Sequence, residues 1–178
     1  DAADLKANIC MAQGEHAEAQ QILDDVAKKT PRNYQRKRLL AEAATLNGDA
    51  DTARSVLADV IANDTMPGAV TPADRLALAR SQVDAKDLIS AEKTLVGLKE
   101  SEVQNLDLDA QASYAALLAI SSPGRGKPRF AGLRPALMSA ELSAASRLDI
   151  LRSALTLGDH ELADHQAEAL LEGEEAKK

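Results

Sequence analysis

Apolar residues recur along the first part of the chain at the spacing of one helix face. Leu23 and Val26, and again Leu57 and Val60, follow an alanine by four and seven residues. This spacing is the apolar stripe of an amphipathic α-helix. Helices are therefore predicted over residues 4–13, 15–29, 34–47, 50–63, 72–85, 88–100 and 107–120, with helix again beyond Pro135 and a last helix near 160–172.

The same short pattern occurs twice, 34 residues apart. Each copy has a turn glycine, a small residue five positions later and a larger apolar pair, namely Gly14, Ala19, Leu23, Val26 and Gly48, Ala53, Leu57, Val60. A glycine after an apolar helix can adopt positive φ and release the chain into a turn. A period of this length indicates a solenoid, in which each helical hairpin buries its apolar face against the next.

A third copy follows the second at an offset of 38 residues. Its matching positions are Leu78, Ala79, Ala91, Leu95 and Leu98. The loop Met66–Val70, which contains Met66-Pro67-Gly68, is predicted to supply the four extra residues, and Lys86-Asp87 replaces the turn glycine. Beyond Ser101 the repeat blurs, and it becomes readable again around Gly158. We expect one domain over residues 1–178, with repeats near 1–31, 34–65, 72–101, a degenerate 106–140, and 144–172.

These residues resemble the tetratricopeptide repeat, a family with this period and this order of small, turn and apolar positions. Ala7 and Ala41 match the small position of the first helix, and Pro31 matches the proline that ends a repeat. Lys6 and Thr65 depart from the pattern, standing where the family has leucine and proline. The resemblance implies an all-α fold, a right-handed α-solenoid of about four to five hairpins with a degenerate fourth unit. A generic α-solenoid is the alternative.

The resemblance also implies a non-catalytic scaffold that binds a peptide or helix of a partner protein on a concave helical surface. By position in the repeat, the expected contact residues are Asn8, Met11, Arg38, Glu42, Thr45, Leu76, Arg80 and Val83. The clamp that some members use for C-terminal carboxylates is absent, because Asp4 and Glu42 occupy its basic and asparagine positions. The alternative is a structural segment of a longer solenoid or a subunit of a multiprotein assembly, such as a bacterial envelope, secretion, pilus or motility complex.

Charge and composition narrow the partner classes. The net charge of −7 argues against a nucleic-acid or anionic-membrane partner, and 2% aromatic content argues against base stacking. No apolar run reaches the length of a membrane span. Although the chain is acidic overall, basic residues cluster at 28–38 and at 121–135. The second is predicted to be a flexible loop, either a solvated connector or a docking site for an acidic partner through Arg125, Lys127, Arg129 and the apolar anchor Phe130.

Catalytic and metal chemistry is not expected from the residue pattern. His160 and His165 lie five residues apart, which turns them to different sides of a helix. No Ser–His or Cys–His arrangement stands out, so we predict no enzyme, no cofactor and no metal. The compartment is left open.

The N-terminal end is expected to be incompletely covered. Few residues precede Gly14, and Cys10 and Met11 are predicted to need a cover from outside the first hairpin. We therefore expect self-association, or binding to a parent protein, through the N-terminal end. A Met11→Glu variant would test this.

Overall fold

All regular elements of the described residues are α-helices. The computed structural model describes residues 1–63 and 70–175, with side chains as far as residue 173. The helices are α1 (Ala2–Ala12), α2 (His16–Lys29), α3 (Tyr34–Leu46), α4 (Ala50–Ala62), α5 (Pro72–Asp84), α6 (Leu88–Val96), α7 (Glu100–Gln104), α8 (Leu108–Ser121), α9 (Pro123–Leu137), α10 (Ala144–Leu157) and α11 (His160–Glu175). None of these helices is both long and apolar enough to cross a membrane. The predicted all-α fold of packed helical hairpins is confirmed, while the predicted break at Met66-Pro67-Gly68 lies outside the described residues.

Four hairpin turns share one backbone geometry. Gly14, Gly48 and Gly158 have φ of +80°, +77° and +77°, and Lys86 takes the same left-handed region at +61°. At each turn the N–H of the next residue donates to the carbonyl five residues earlier, at 2.8–2.9 Å. This bond satisfies a carbonyl group at the end of one helix, and the next helix begins directly after the turn. The turn is therefore a repeated device, and its third copy functions without glycine.

The chain forms two compact units, Asp1–Ser81 and Gln82–Lys178, with the boundary inside α5. In the first unit, α1 packs on α2, α2 on α3 and α3 on α4. Its main cluster is built largely from small residues, namely Ala7, Cys10, Ala19, Leu23, Ala27, Leu40 and Ala43. A second cluster joins α3, α4 and α5 through Ala41, Leu57 and Leu78. The alanines at the predicted second-helix positions, Ala19 and Ala53, are buried, which confirms the predicted helix faces.

The second unit is organised around α8, which packs against α6, α9 and α10. Every residue from Ala112 to Ala119 is buried, because the helix is apolar or small on all sides. Its alanines pack with Phe130 and Leu137 of α9 and with side chains of α10 and α11. The core of this unit is therefore a small-residue helix surrounded by neighbours.

The prediction of a flexible loop over residues 121–135 is wrong, because these residues form most of α9. Pro123 takes the first position of the helix, where its missing N–H costs nothing. Gly126 lies directly on the backbone of α8 at Ala119, and Phe130 is buried in the core. The predicted helix at 88–100 also differs, since it ends at Val96 and a short α7 begins at Glu100.

Candidate protein-interaction surface

An ion pair joins the N-terminal ends of α1 and α3, which are the first helices of the first two hairpins. The buried Arg36 donates from its guanidinium to both carboxylate oxygens of Asp4, at 2.7 and 2.9 Å. It also donates to Asp1 at 2.6 Å and to the Thr30 hydroxyl at 2.7 Å. The hydrogen bond from Arg36 is the main reason that the pKa of Asp4 falls from 3.8 to about 2. Charge-assisted bonds thus hold α1 and α3 side by side.

A second ion pair joins α3 to α5. In the first pair the earlier helix supplies the acid, whereas in this pair the earlier helix supplies the base. Arg38 donates from Nε and Nη2 to the two oxygens of Asp74, each at 2.7 Å. Thr71 donates its backbone N–H and its hydroxyl to the same carboxylate, at 2.7 and 2.8 Å. Burial by itself raises the pKa of Asp74, but the hydrogen bonds from Arg38 and Thr71 outweigh it, so the net shift is downward.

The repeat offsets define rows of equivalent sequence positions in α1, α3 and α5, the first helices of the first three hairpins. The rows are Asp4, Arg38 and Leu76, then Asn8, Glu42 and Arg80, and then Met11, Thr45 and Val83. The first row is used in packing, because Asp4 and Arg38 lie in the ion pairs and Leu76 is only 6% exposed. Leu76, which was expected to contact a partner, therefore lacks the exposure that such a contact requires.

The other two rows leave a polar strip on α1 and α3, here called the first-helix face and defined by Asn8, Met11, Glu42 and Thr45. Asn8, Glu42 and Thr45 are exposed, and Met11 is half-buried against the first cluster. The Thr45 hydroxyl donates to its own helix backbone at 2.8 Å, so its oxygen still offers an acceptor. Of the other predicted residues, Arg80 is half-buried and Val83 lies in the second unit.

The basic cluster at residues 28–38 is largely paired within the first unit. Besides Arg36 and Arg38, Lys28 pairs with Asp24, and Lys37 pairs with Asp59 while lying over the ring of Tyr34 at 5.9 Å. Four of the six cations in this cluster are therefore held by acids of the same unit, whereas Lys29 and Arg32 are exposed.

The basic residues of α9 are paired in a similar way. Arg129 donates to both carboxylate oxygens of Glu100 at 2.7 and 2.8 Å and lies 5.4 Å from the centre of the Tyr114 ring. Arg125 lies 3.7 Å from Glu92, and Lys127 is exposed. Phe130 is 2% exposed. The expectation that Phe130 anchors a partner at an open surface is wrong, because its ring fills the core between α8 and α9.

One group of side chains with metal-ligand chemistry occurs in the described part of the chain, and the sequence analysis missed it. Cys10, Glu15 and Glu18 bring a thiol and two carboxylates within 4.8 Å of one another. Burial, and then the nearby Glu18 and Glu15, raise the pKa of the Cys10 thiol. Lys6 already binds Glu18 at 2.9 Å. A protonated thiol is a poor metal ligand, so the group fits a packed cysteine beside a surface ion pair.

The comparisons with known proteins agree with the fold. Residues 6–69 match the family model described as tetratricopeptide repeat. Comparison with curated proteins and with solved structures gives no significant match. The matched stretch includes the two equivalent turns at Gly14 and Gly48, and the hairpin geometry recurs in the second unit at Gly158. Residues 6–69 are therefore similar to the tetratricopeptide repeat, and the regular elements described outside that stretch are also helices.

Proposed function

We propose that this chain is a non-catalytic protein-interaction module that binds a peptide or helix of a partner along the first-helix face. Tetratricopeptide repeats are generally protein-interaction motifs. One observation carries the proposal: Asn8 and Glu42 are exposed at equivalent positions of two helices that an ion pair holds side by side, and Thr45 is exposed three residues after Glu42. Because the two helices are already paired, binding does not have to order their backbone, which lowers the entropic cost of binding.

The chemistry of the face favours a partner segment that supplies hydrogen-bond donors. The Asn8 amide can donate and accept, whereas the Glu42 carboxylate and the Thr45 oxygen can accept. Met11 adds an adaptable apolar contact. Glu42 makes no ion pair with the described residues, so the uncompensated charge of the face is negative. We therefore propose a basic or backbone donor opposite Glu42, in place of the acidic partner suggested by the basic clusters.

We do not propose a catalytic role, because Cys10, the one cysteine of the chain, does not have the properties of a nucleophile. The Cys10 thiol is buried, and its pKa is raised by that burial and by the nearby carboxylates. A reactive cysteine needs the opposite, an exposed site and a lowered pKa.

A peptide selection with matched variants tests the proposal. Peptides selected from a random-sequence display library on the full chain are titrated by calorimetry into the wild type and two double variants. Asn8→Arg with Thr45→Arg places two cations on the first-helix face. Gln21→Arg with Ser55→Arg adds the same charge to exposed positions of α2 and α4.

We expect the first double variant to weaken binding by about tenfold or more and the control by less than about twofold. Amide shifts on binding should concentrate at Asn8, Glu42 and Thr45 in NMR spectra. A library that yields no binder, or binders that both variants affect equally, would contradict the proposed site.

A further inference from the structure

Helix α1 carries an exposed apolar stripe on the side away from its own hairpin. The stripe, here called the α1 end surface, consists of Ala2, Leu5, Ile9 and Ala12 at i, i+3, i+7 and i+10. Leu5 is 62% exposed and Ile9 is 49% exposed. Cys10, which the sequence suggested would be uncovered, is instead buried in the core, and Met11 is half-buried against it. Helix α1 therefore does have exposed apolar surface, but Leu5 and Ile9 form most of it.

The repeat itself shows what covers such a surface. One period later, Leu5 and Ile9 correspond to Leu39 and Ala43 of α3. Ala43 is fully buried and Leu39 packs beside it, in the same cluster as three residues of α2, namely Ala19, Leu23 and Ala27. Helix α2 therefore covers Leu39 and Ala43 on α3. In α1 the same positions are open to solvent.

We propose that the α1 end surface binds an amphipathic helix of another protein, with a small–large–small apolar spacing like that of Ala19, Leu23 and Ala27. This site is separate from the first-helix face and does not depend on the proposed function. Lys6 stands where α3 has the buried Leu40, so the apolar surface is narrower than its counterpart. Lys6 already pairs with Glu18 of α2 at 2.9 Å, so the bound helix must leave this ion pair open to water, since covering it with apolar groups would bury a charge.

A second copy of the chain fits this surface less well. The last helix, α11, presents Glu161, Asp164 and Glu168 around the exposed Leu171, which is an acidic face with one apolar residue. Two α1 helices packed together would oppose large residues to large ones. In the α2–α3 contact, by contrast, leucines pack among alanines, which is how helices approach closely.

The test uses the full chain and a defined probe. The probe is a synthetic, end-capped peptide with the sequence of residues 15–30, held helical by a lactam between Gln21→Lys and Asp25. Both lactam positions are exposed on α2, and the bridge is needed because a helix of this length is marginal alone. A Leu23→Asp peptide serves as the matched negative probe.

Binding is followed by fluorescence anisotropy and by NMR. We expect saturable binding that Ile9→Asp or Leu5→Asn weakens by about tenfold or more, and that Leu171→Asp changes by less than about twofold. Because Leu5 and Ile9 are exposed, both variants should melt like the wild type. The Asn8→Arg, Thr45→Arg variant should bind the probe normally, which separates this site from the first-helix face.

Three results would overturn the proposal. One is no binding of the probe at about 1 mM. Another is binding that neither Ile9→Asp nor Leu5→Asn affects. The third is a wild-type dimer in sedimentation that Ile9→Asp dissociates, which would show that a second copy covers the surface.

Discussion

Replacing Gly126 by alanine tests how closely α9 packs on α8. A Cβ at this position would lie 2.1 Å from Ala119 N, 2.3 Å from Leu118 C and 2.4 Å from Ala119 Cα. All three are backbone atoms of α8, so no side-chain rotation can relieve the contact. The two helices must move apart, which opens the packing around Phe130.

The size of the effect follows from two opposing contributions. Overpacking a tight site costs about 1–3 kcal/mol, and contact with backbone places Gly126→Ala near the upper value. Alanine returns about 0.5–1 kcal/mol through helix propensity. The expected net loss is therefore about 2 kcal/mol. Gly132 lies in the same helix with nothing within 4 Å, so Gly132→Ala should gain about 0.5–1 kcal/mol.

Thermal melts followed by circular dichroism compare the two variants with the wild type. For a protein of this size 1 kcal/mol corresponds to about 2–4 °C, so Gly126→Ala should lower Tm by about 4–8 °C and Gly132→Ala should raise it slightly. Amide exchange in α8 and α9 assigns the change to the second unit. The reasoning is refuted if Gly126→Ala melts at or above the wild-type temperature, or if Gly132→Ala is the more harmful change.

Two further predictions concern the first unit. The folded pKa of Asp4, about 2, lies below its ordinary 3.8, so its contribution to stability is complete above about pH 4 and is lost as the pH falls toward 2. Acid unfolding of Asp4→Asn should therefore show a smaller loss over this range, and equal losses would contradict the role of the Arg36 pair. Ala53→Leu should cost about 1–3 kcal/mol in urea unfolding because Ala53 is buried, whereas Ala58→Leu at an exposed position of α4 should stay within about 0.5 kcal/mol.

Local physics explains why much of the first unit could be predicted. The absence of a Cβ favours the positive φ of Gly14 and Gly48, and the burial of Ala19 and Ala53 follows from helical spacing after that turn. Both features are encoded within a few residues of each other. The turn positions, the helix faces and the family resemblance could therefore be read directly from the sequence.

Helix α9 shows where this reasoning ends. Its glycines and prolines favour a loop by intrinsic propensity, yet Pro123–Leu137 is helical. Gly126 allows close approach to α8, Phe130 and Leu137 enter the core, and Arg134 donates to Asp159 at 2.6 Å. All of these contacts are with residues outside α9. Tertiary packing thus outweighs propensity, and propensity alone was available before the fold was known.

Some features of the candidate surface could be read from the sequence, whereas others depend on the tertiary structure. The sequence by itself determined which positions of α1, α3 and α5 are equivalent, because the period sets that register, and Asn8, Glu42 and Thr45 are indeed exposed. Only the tertiary structure decided that Arg38 binds Asp74, 36 residues away, and that Leu5 and Ile9 form the open end of the first unit. Ion pairing and burial depend on which helix stacks beside which. That arrangement is a property of the packed hairpins, and no single segment carries it.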